Sequence, residues 1–206
     1  QEDLDWLLAE NGVTYNVYND PNGLNRPWNL NIIPFVLDQK EWKTIEKGLQ
    51  QRAHLLDLVL KDIYGENKLI KNGIVPSEII YAHRGFLRPC HRIQYNTAQQ
   101  LLMHSADLAR GPDGRMWVVN DRAEAPSGMG YALENRFSVR EVVPDFFKEI
   151  NVKQPFGFFK DFNDLLINSA ATNKENPTIV ILTPGPHNET YFEHAYLSSF
   201  LGYLFR

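Results

Sequence analysis

The sequence predicts a mixed α/β (α+β) fold, and three stretches carry that prediction. Residues 38–65 repeat apolar side chains with helical spacing over many turns. Residues 99–122 read as two strands around the turn "GPDG", and residues 178–202 read as an apolar strand, a loop and an amphipathic helix. Together they describe an antiparallel hairpin layer, packed helices and the first β-loop-α unit of an α/β layer.

The chain has 206 residues, enough for one sizeable core, and its 43% apolar and 22% charged content is that of a globular protein. No apolar run is long enough to span a bilayer and the start lacks a signal-peptide pattern, so a soluble protein is expected. A net charge of −4 and a pI near 5.9 give no overall electrostatic footprint for nucleic acid. The single cysteine, Cys90, excludes an internal disulfide and points to a reducing, cytoplasmic compartment. In "GFLRPCHRI" it adjoins His91, but neighbours in a strand face opposite ways, so Cys90 reads as a small buried apolar residue rather than a nucleophile. The chain begins at Gln1 and stops at "LGYLFR" just after a helix, which reads as a piece of something larger.

Taken in order, residues 1–10 suit a short helix with Leu4, Leu7 and Leu8 on one face. Residues 11–37 are rich in Asn, Pro and Gly and read as an irregular arm anchored by Tyr15, Tyr18, Trp28 and Phe35. In the long helix Asp38 can act as cap, with Glu41 three residues on. Its stripe runs through Trp42, Ile45, Leu49, Leu56, Val59 and Ile63 and closes at Tyr64 and Gly65. Short helical pieces are expected near Asn67–Lys71 and after Pro76, then a loop and edge strand at "GFLRPCHRI". A helix starting near Gly128 should run about four turns to Pro144, and helix resumes over 145–170 with a break around "KQPFGFF". The expected division is 1–37, an ordered arm; 38–170, the main portion; and 171–206, the opening of the α/β layer.

With "GPDG" as the loop, Arg110 would face Arg115, Asp107 would face Val118 and Ser105 would face Asn120. One face would then bury Leu108, Ala106, Trp117 and Val119, and the other would gather Asp107, Ser105, Asn120 and Arg122. Such oxygens beside a small-residue loop can hold Mg²⁺ and a polyphosphate, with the arginine on phosphate; an ordinary solvated face with an Asp–Arg pair is the alternative. In "TPGPHNET" a loop leads into a helix N-terminus that favours an anion, with Asn188 as a cap; a plain strand-to-helix link is the alternative. His187 and His194 lie seven apart without zinc spacing. Glu134 can be simple helix surface, or can converge with Tyr131 and Asn135 beside the preceding loop.

Three strings carry a resemblance: "LKDIYGENKLIKNGIVPSEIIYAHRGFLRPCH", "ADLARGPDGRMWVVNDRAEAPSGMGYALENR" and "ILTPGPHNETYFEHAYLSSFLG". They resemble the circularly permuted ATP-grasp family, which includes glutathionylspermidine-synthase-like ligases and longer uncharacterised proteins. The resemblance implies an ATP-dependent carboxylate–amine ligase that forms an acyl phosphate with Mg·ATP. It also implies small-molecule carboxylate and amine substrates of peptide-like kind, and a further nucleotide-clamping lobe of the same chain, without which the fragment is inactive. In the family pattern an Asp on one strand is followed, on the partner strand, by Glu, a spacer and Asn. Asp107 matches the Asp, while Asn120 stands where the Glu should be and Arg122 where the Asn should be. The implied roles are Asp107 and Asn120 for the metal, Arg122 and Glu134 in catalysis, and Ser127, Gly128, Gly130 and Asn188 for the nucleotide. The two departures open a second reading, a binding or scaffold protein that keeps the ATP-grasp shape without its chemistry. A zinc enzyme using His187 and His194 is a third.

Overall fold

A computed structural model describes residues 1–18, 20–93, 98–170 and 176–206. In chain order the elements are α1 (Glu2–Glu10), β1 (Thr14–Tyr15), β2 (Arg26–Pro27), α2 (Gln39–Tyr64), α3 (Lys68–Lys71), α4 (Ser77–Tyr81), a 3₁₀ turn at Arg88–Cys90, β3 (Ser105–Arg110), β4 (Met116–Arg122), α5 (Met129–Val142), α6 (Pro144–Glu149), α7 (Phe156–Ser169), β5 (Val180–Ile181), α8 (Tyr191–Leu201) and β6 (Leu204–Phe205). The class is the expected mixed α+β, with helices dominant and, among the described residues, strands in three separate pairs. Contacts divide the chain into two compact units, Val36–Pro126 and a discontinuous one made of Gln1–Phe35 with Ser127–Arg206.

In the unit formed by 36–126, α2 begins where Asp38 accepts a hydrogen bond from the Glu41 N–H at 2.7 Å, the cap expected from the sequence. Its stripe turns Ile45 and Leu49 towards Leu108, Met116 and Val118 of the hairpin, around a groove of about 1220 Å³. Asp57, within the same helix, is buried and accepts from the Gln100 and Leu101 N–H groups at 2.8 and 2.9 Å, with Lys61 beside it. Burial alone would raise its pKa, but the Leu101, Lys61 and Gln100 hydrogen bonds hold it below the usual carboxylate range. Instead of the expected edge strand at "GFLRPCHRI", residues 88–90 turn as a 3₁₀ helix, with Cys90 half-buried. Strand alternation therefore does not set Cys90 against His91, whose ring meets the Asn67 amide at 2.9 Å.

In the other unit α5 is the hub. Leu4, Leu8 and Val13 pack with Tyr131 and Val139 in one cluster, and Leu133 packs with Phe159 and Leu197 in a second. Trp28 stacks on Tyr131 with ring centroids 4.3 Å apart, so it anchors the arm as expected, whereas Tyr18 and Phe35 stay exposed. The apolar run at 178–182 yields only the two-residue β5, paired in parallel with β6, so the closing "LGYLFR" returns to the sheet. The break in helix expected around "KQPFGFF" falls earlier, at 150–155 between α6 and α7, and Phe156–Phe159 are already part of α7.

Candidate functional site

The hairpin departs from the expected register twice. The Gly111 N–H donates to the Arg115 carbonyl at 2.8 Å, which takes Arg115 into the loop and sets Arg110 opposite Met116. A bulge then follows: Leu108 pairs with Val118 but Asp107 pairs with Asn120, leaving Val119 without an opposite residue. The expected pairing of Asp107 with Val118 is thereby corrected to Asp107 with Asn120, and Ser105 lies opposite Arg122.

The two departures together re-sort the faces. Opposed residues share a face and β3 alternates without interruption, so Arg110, Leu108 and Ala106 look one way and Ala109, Asp107 and Ser105 the other. On the first face Arg110 pairs with Glu41 of α2 at 2.7 Å, and Asp121 pairs with Arg52. The second gathers Asp107, Asn120, Ser105 and Arg122 as expected. It also carries Trp117, which was expected to be buried on the opposite side together with Val119; they are 56% and 64% exposed.

Within the polar cluster one oxygen, Asp107 Oδ2, accepts from Asn120 Nδ2 at 3.3 Å and from Arg122 Nε and Nη2 at 3.2 and 3.0 Å. The guanidinium and then the amide hold the Asp107 carboxyl below the usual carboxylate range. None of these bonds uses Oδ1. Both charged groups are well exposed, so their attraction is screened and the arrangement can open for a ligand at little cost. Among the described residues no three His, Cys, Asp or Glu side chains group as a metal site. A Mg²⁺ held by protein groups alone therefore does not fit, whereas a Mg²⁺ carried by a triphosphate needs only one or two protein oxygens, which Asp107 and the Asn120 amide can supply. The 1220 Å³ groove lies on the opposite, apolar side and includes none of these residues.

Asp121, between Asn120 and Arg122, went unnoticed in the sequence. Arg52 of α2 grips it with a fork, Nε to Oδ1 and Oδ2 at 2.6 and 2.8 Å and Nη2 to Oδ2 at 2.5 Å, and His104 Nε2 meets Oδ1 at 3.0 Å. These contacts, Arg52 foremost, lower its pKa to about 2. Its partner lies 69 positions away, so no local spacing announces it.

The remaining candidates belong to the unit containing α5. Glu134 is buried, and its Oε1 accepts from Asn11 Nδ2 at 2.8 Å and Ser138 Oγ at 2.9 Å, so the surface reading is corrected. Tyr131 and Asn135 also bind the arm, through Thr14 O and Trp28 Nε1. Ser127 is exposed, and the N–H groups of Gly128 and Gly130 are already taken. Buried Glu193 of α8 accepts from Gly128 N at 2.7 and 2.8 Å and from Gly130 N at 2.7 Å. Those two donors are spent on an internal carboxylate, which fills the place at the α5 N-terminus where an anion was expected. Asn188 does not cap α8 directly; Thr190 holds that position, and Asn188 Oδ1 accepts from Thr190 N and Oγ1 at 3.1 and 3.2 Å. Both ring nitrogens of His194 lie against hydroxyls, Thr183 at 3.0 Å and Thr190 at 3.3 Å, while His187 is exposed.

The family model described as Circularly permuted ATP-grasp type 2 matches residues 34–205. An uncharacterised protein of Synechocystis is 38% identical over 191 residues, covering 93% of this chain and 40% of its own. One of Mycobacterium tuberculosis is 36% identical over 205 residues, covering 96% and 23%. One of Mycobacterium leprae is 33% identical over 201 residues, covering 98% and 35%. The chain thus spans between 23% and 40% of the length of these relatives.

Proposed function

The chain belongs to the circularly permuted ATP-grasp type 2 family, and on that premise we propose that the whole protein is an ATP-dependent ligase that joins a carboxylate to an amine through an acyl phosphate. The observation that supports this reading is the outer face of the hairpin, where Asp107, Asn120 and Arg122 converge on one oxygen. The Arg122 fork suits a phosphate, and contact with the triphosphate would draw it off Asp107 and free that carboxylate. Asp107 and the Asn120 amide oxygen would then hold the Mg²⁺ that travels with ATP. The metal, when bound, supplies charge neutralisation of the phosphoryl group. The rest is positioning, which is most of what phosphoryl transfer asks of a protein. The roles first expected of Glu134, Gly128 and Gly130 are not part of this proposal, because their polar groups are satisfied inside the fold.

One observation favours a second reading, a nucleotide-free scaffold. Arg122 already neutralises Asp107, and the departure from the family's Glu and Asn leaves a single carboxylate at the cluster. Calorimetry with Mg·ATP decides between them. The ligase reading expects binding that weakens at least about tenfold in Asp107→Ala and Arg122→Ala, the loss expected from one charge-assisted contact. Absence of heat with the native protein supports the scaffold. Assay of ADP release against amino acids, peptides and polyamines then names the substrates.

A further inference from the structure

The segment His83-Arg84-Gly85-Phe86-Leu87-Arg88-Pro89-Cys90-His91-Arg92 holds three arginines, two histidines and no acid, in a chain whose net charge is −4. The other residues therefore sum to −4 − 3 = −7, and the positive charge here is local. Among the described residues none of Arg84, Arg88 and Arg92 has a carboxylate partner, although Arg52, Arg110, Arg115 and Arg122 all do. All three are exposed.

The backbone beneath them is fixed. The Tyr64 carbonyl accepts from the Arg92 N–H at 2.7 Å and the Tyr64 hydroxyl accepts from the Leu87 N–H at 3.0 Å, so one residue at the end of α2 ties down both halves of the segment. Phe86 lies between Tyr64 and Tyr81, each with a ring centroid 5.2 Å away, and the Arg88 guanidinium stands 6.0 Å over the Tyr81 ring. Arg92 sits at φ 62°, a left-handed conformation uncommon for a residue with a side chain, held there by its bond to Tyr64. Rigid backbone with free cationic heads is a preorganised surface. It also adjoins the hairpin: a side chain started on Gly85 would stand 4.0 Å from the Glu124 carboxylate, two residues beyond Arg122.

We infer that residues 83–92 are a recognition strip for an acid-rich peptide, the carboxylate-bearing substrate of the site on the hairpin. The arginines recur every four residues through turns and a 3₁₀ helix, whose rise of about 2 Å per residue would put the Cα atoms of Arg88 and Arg92 about 8 Å apart, more than a single carboxylate spans. A ligand that distributes its carboxylates along a chain suits three exposed guanidinium forks spaced in this way, and each fork matches a carboxylate. The use of the strip by a ligase rests on the function proposed above; the binding itself does not.

The probe is tetraglutamate, titrated calorimetrically into the native chain, Arg84→Gln, Arg88→Gln and the double variant, with inorganic tripolyphosphate and Mg·ATP as parallel arms. These are exposed substitutions, and circular dichroism confirms that the variants fold. The expected result is tetraglutamate binding that weakens about tenfold per arginine removed and falls with added salt, with Mg·ATP affinity unchanged. Arg88→Lys should recover part of the loss, since it keeps the charge without the fork. No tetraglutamate binding, binding indifferent to the variants, tripolyphosphate bound in preference, or Mg·ATP affinity lost with the arginines each overturns the inference. Tetraglutamate binding in a protein that does not bind Mg·ATP would leave the strip standing and remove the ligase.

Discussion

Replacing Glu193 should loosen the start of α5 by an amount that can be worked out in advance. Its carboxylate is 2% exposed and is the acceptor for the Gly128 and Gly130 N–H groups. Glu193→Ala leaves both donors without an acceptor at about 1–3 kcal/mol each, and opens space beside Leu197. Relief from burying a charge offsets part of this, so the net loss should be about 3–5 kcal/mol. Glu193→Gln keeps one oxygen for the amides and loses mainly the charge at the helix N-terminus, for about 1–2 kcal/mol. At about 2–4 °C per kcal/mol for a chain of this size, the Ala variant should melt about 10 °C lower and the Gln variant about 4 °C lower. Thermal unfolding by circular dichroism measures this, and hydrogen exchange at the Gly130 amide localises it. If Glu193→Ala melts within about 2 °C of the native protein with Gly130 equally protected, the carboxylate is not what holds the loop.

Gly130→Ala should destabilise by about 1–3 kcal/mol in urea unfolding, because its Cβ would land 2.8 Å from Glu193 Cγ and 3.2 Å from Leu197 Cγ. Asp121, lowered to about 2 by Arg52 and His104, binds protons less readily folded than unfolded. Its contribution, about 1–2 kcal/mol after screening, is complete above pH about 4 and lost as pH falls towards 2; an acid-unfolding series should show Asp121→Asn flatter across that window. Arg122→Ala should let the Asp107 pKa rise towards its ordinary value, read by carboxyl NMR titration. Tyr131, pushed up to about 12 by burial and then by Glu193, should ionise at lower pH in Glu193→Gln, followed by ultraviolet absorbance.

What was legible in the sequence was what local chemistry decides. Asp38 and Glu41 marked the start of α2, Pro144 closed α5, and the turn residues placed the hairpin, because caps, prolines and turns act over a few positions. The membership of the polar cluster was legible too, since period two survives along β3. The register was not: the entry of Arg115 into the loop moves Trp117 to the other face, the bulge after Val118 returns Asn120 to the face of Asp107, and neither has a residue signature in "GPDGRMWVVNDR". The Arg52–Asp121, Glu193–Gly128 and Glu134–Asn11 contacts join residues 69, 65 and 123 positions apart, and only the folded chain brings them together. The edge strand expected within "GFLRPCHRI" is a turn instead, because its backbone bonds to Tyr64, more than twenty positions earlier, and not to a neighbouring strand.

The unpaired Val119 also sets how tolerant this hairpin can be to length changes. Between Val118 and Asn120 the strand is out of phase with itself, so the tip and the base of β4 obey different frames. Removing that residue would close the bulge into a regular ladder, with Val118 still opposite Leu108, Asn120 opposite Asp107 and Asp121 opposite Ala106. A deletion of one residue at this position would thus keep both faces of the hairpin, which makes the bulge the place where β4 can be shortened without changing what either face presents.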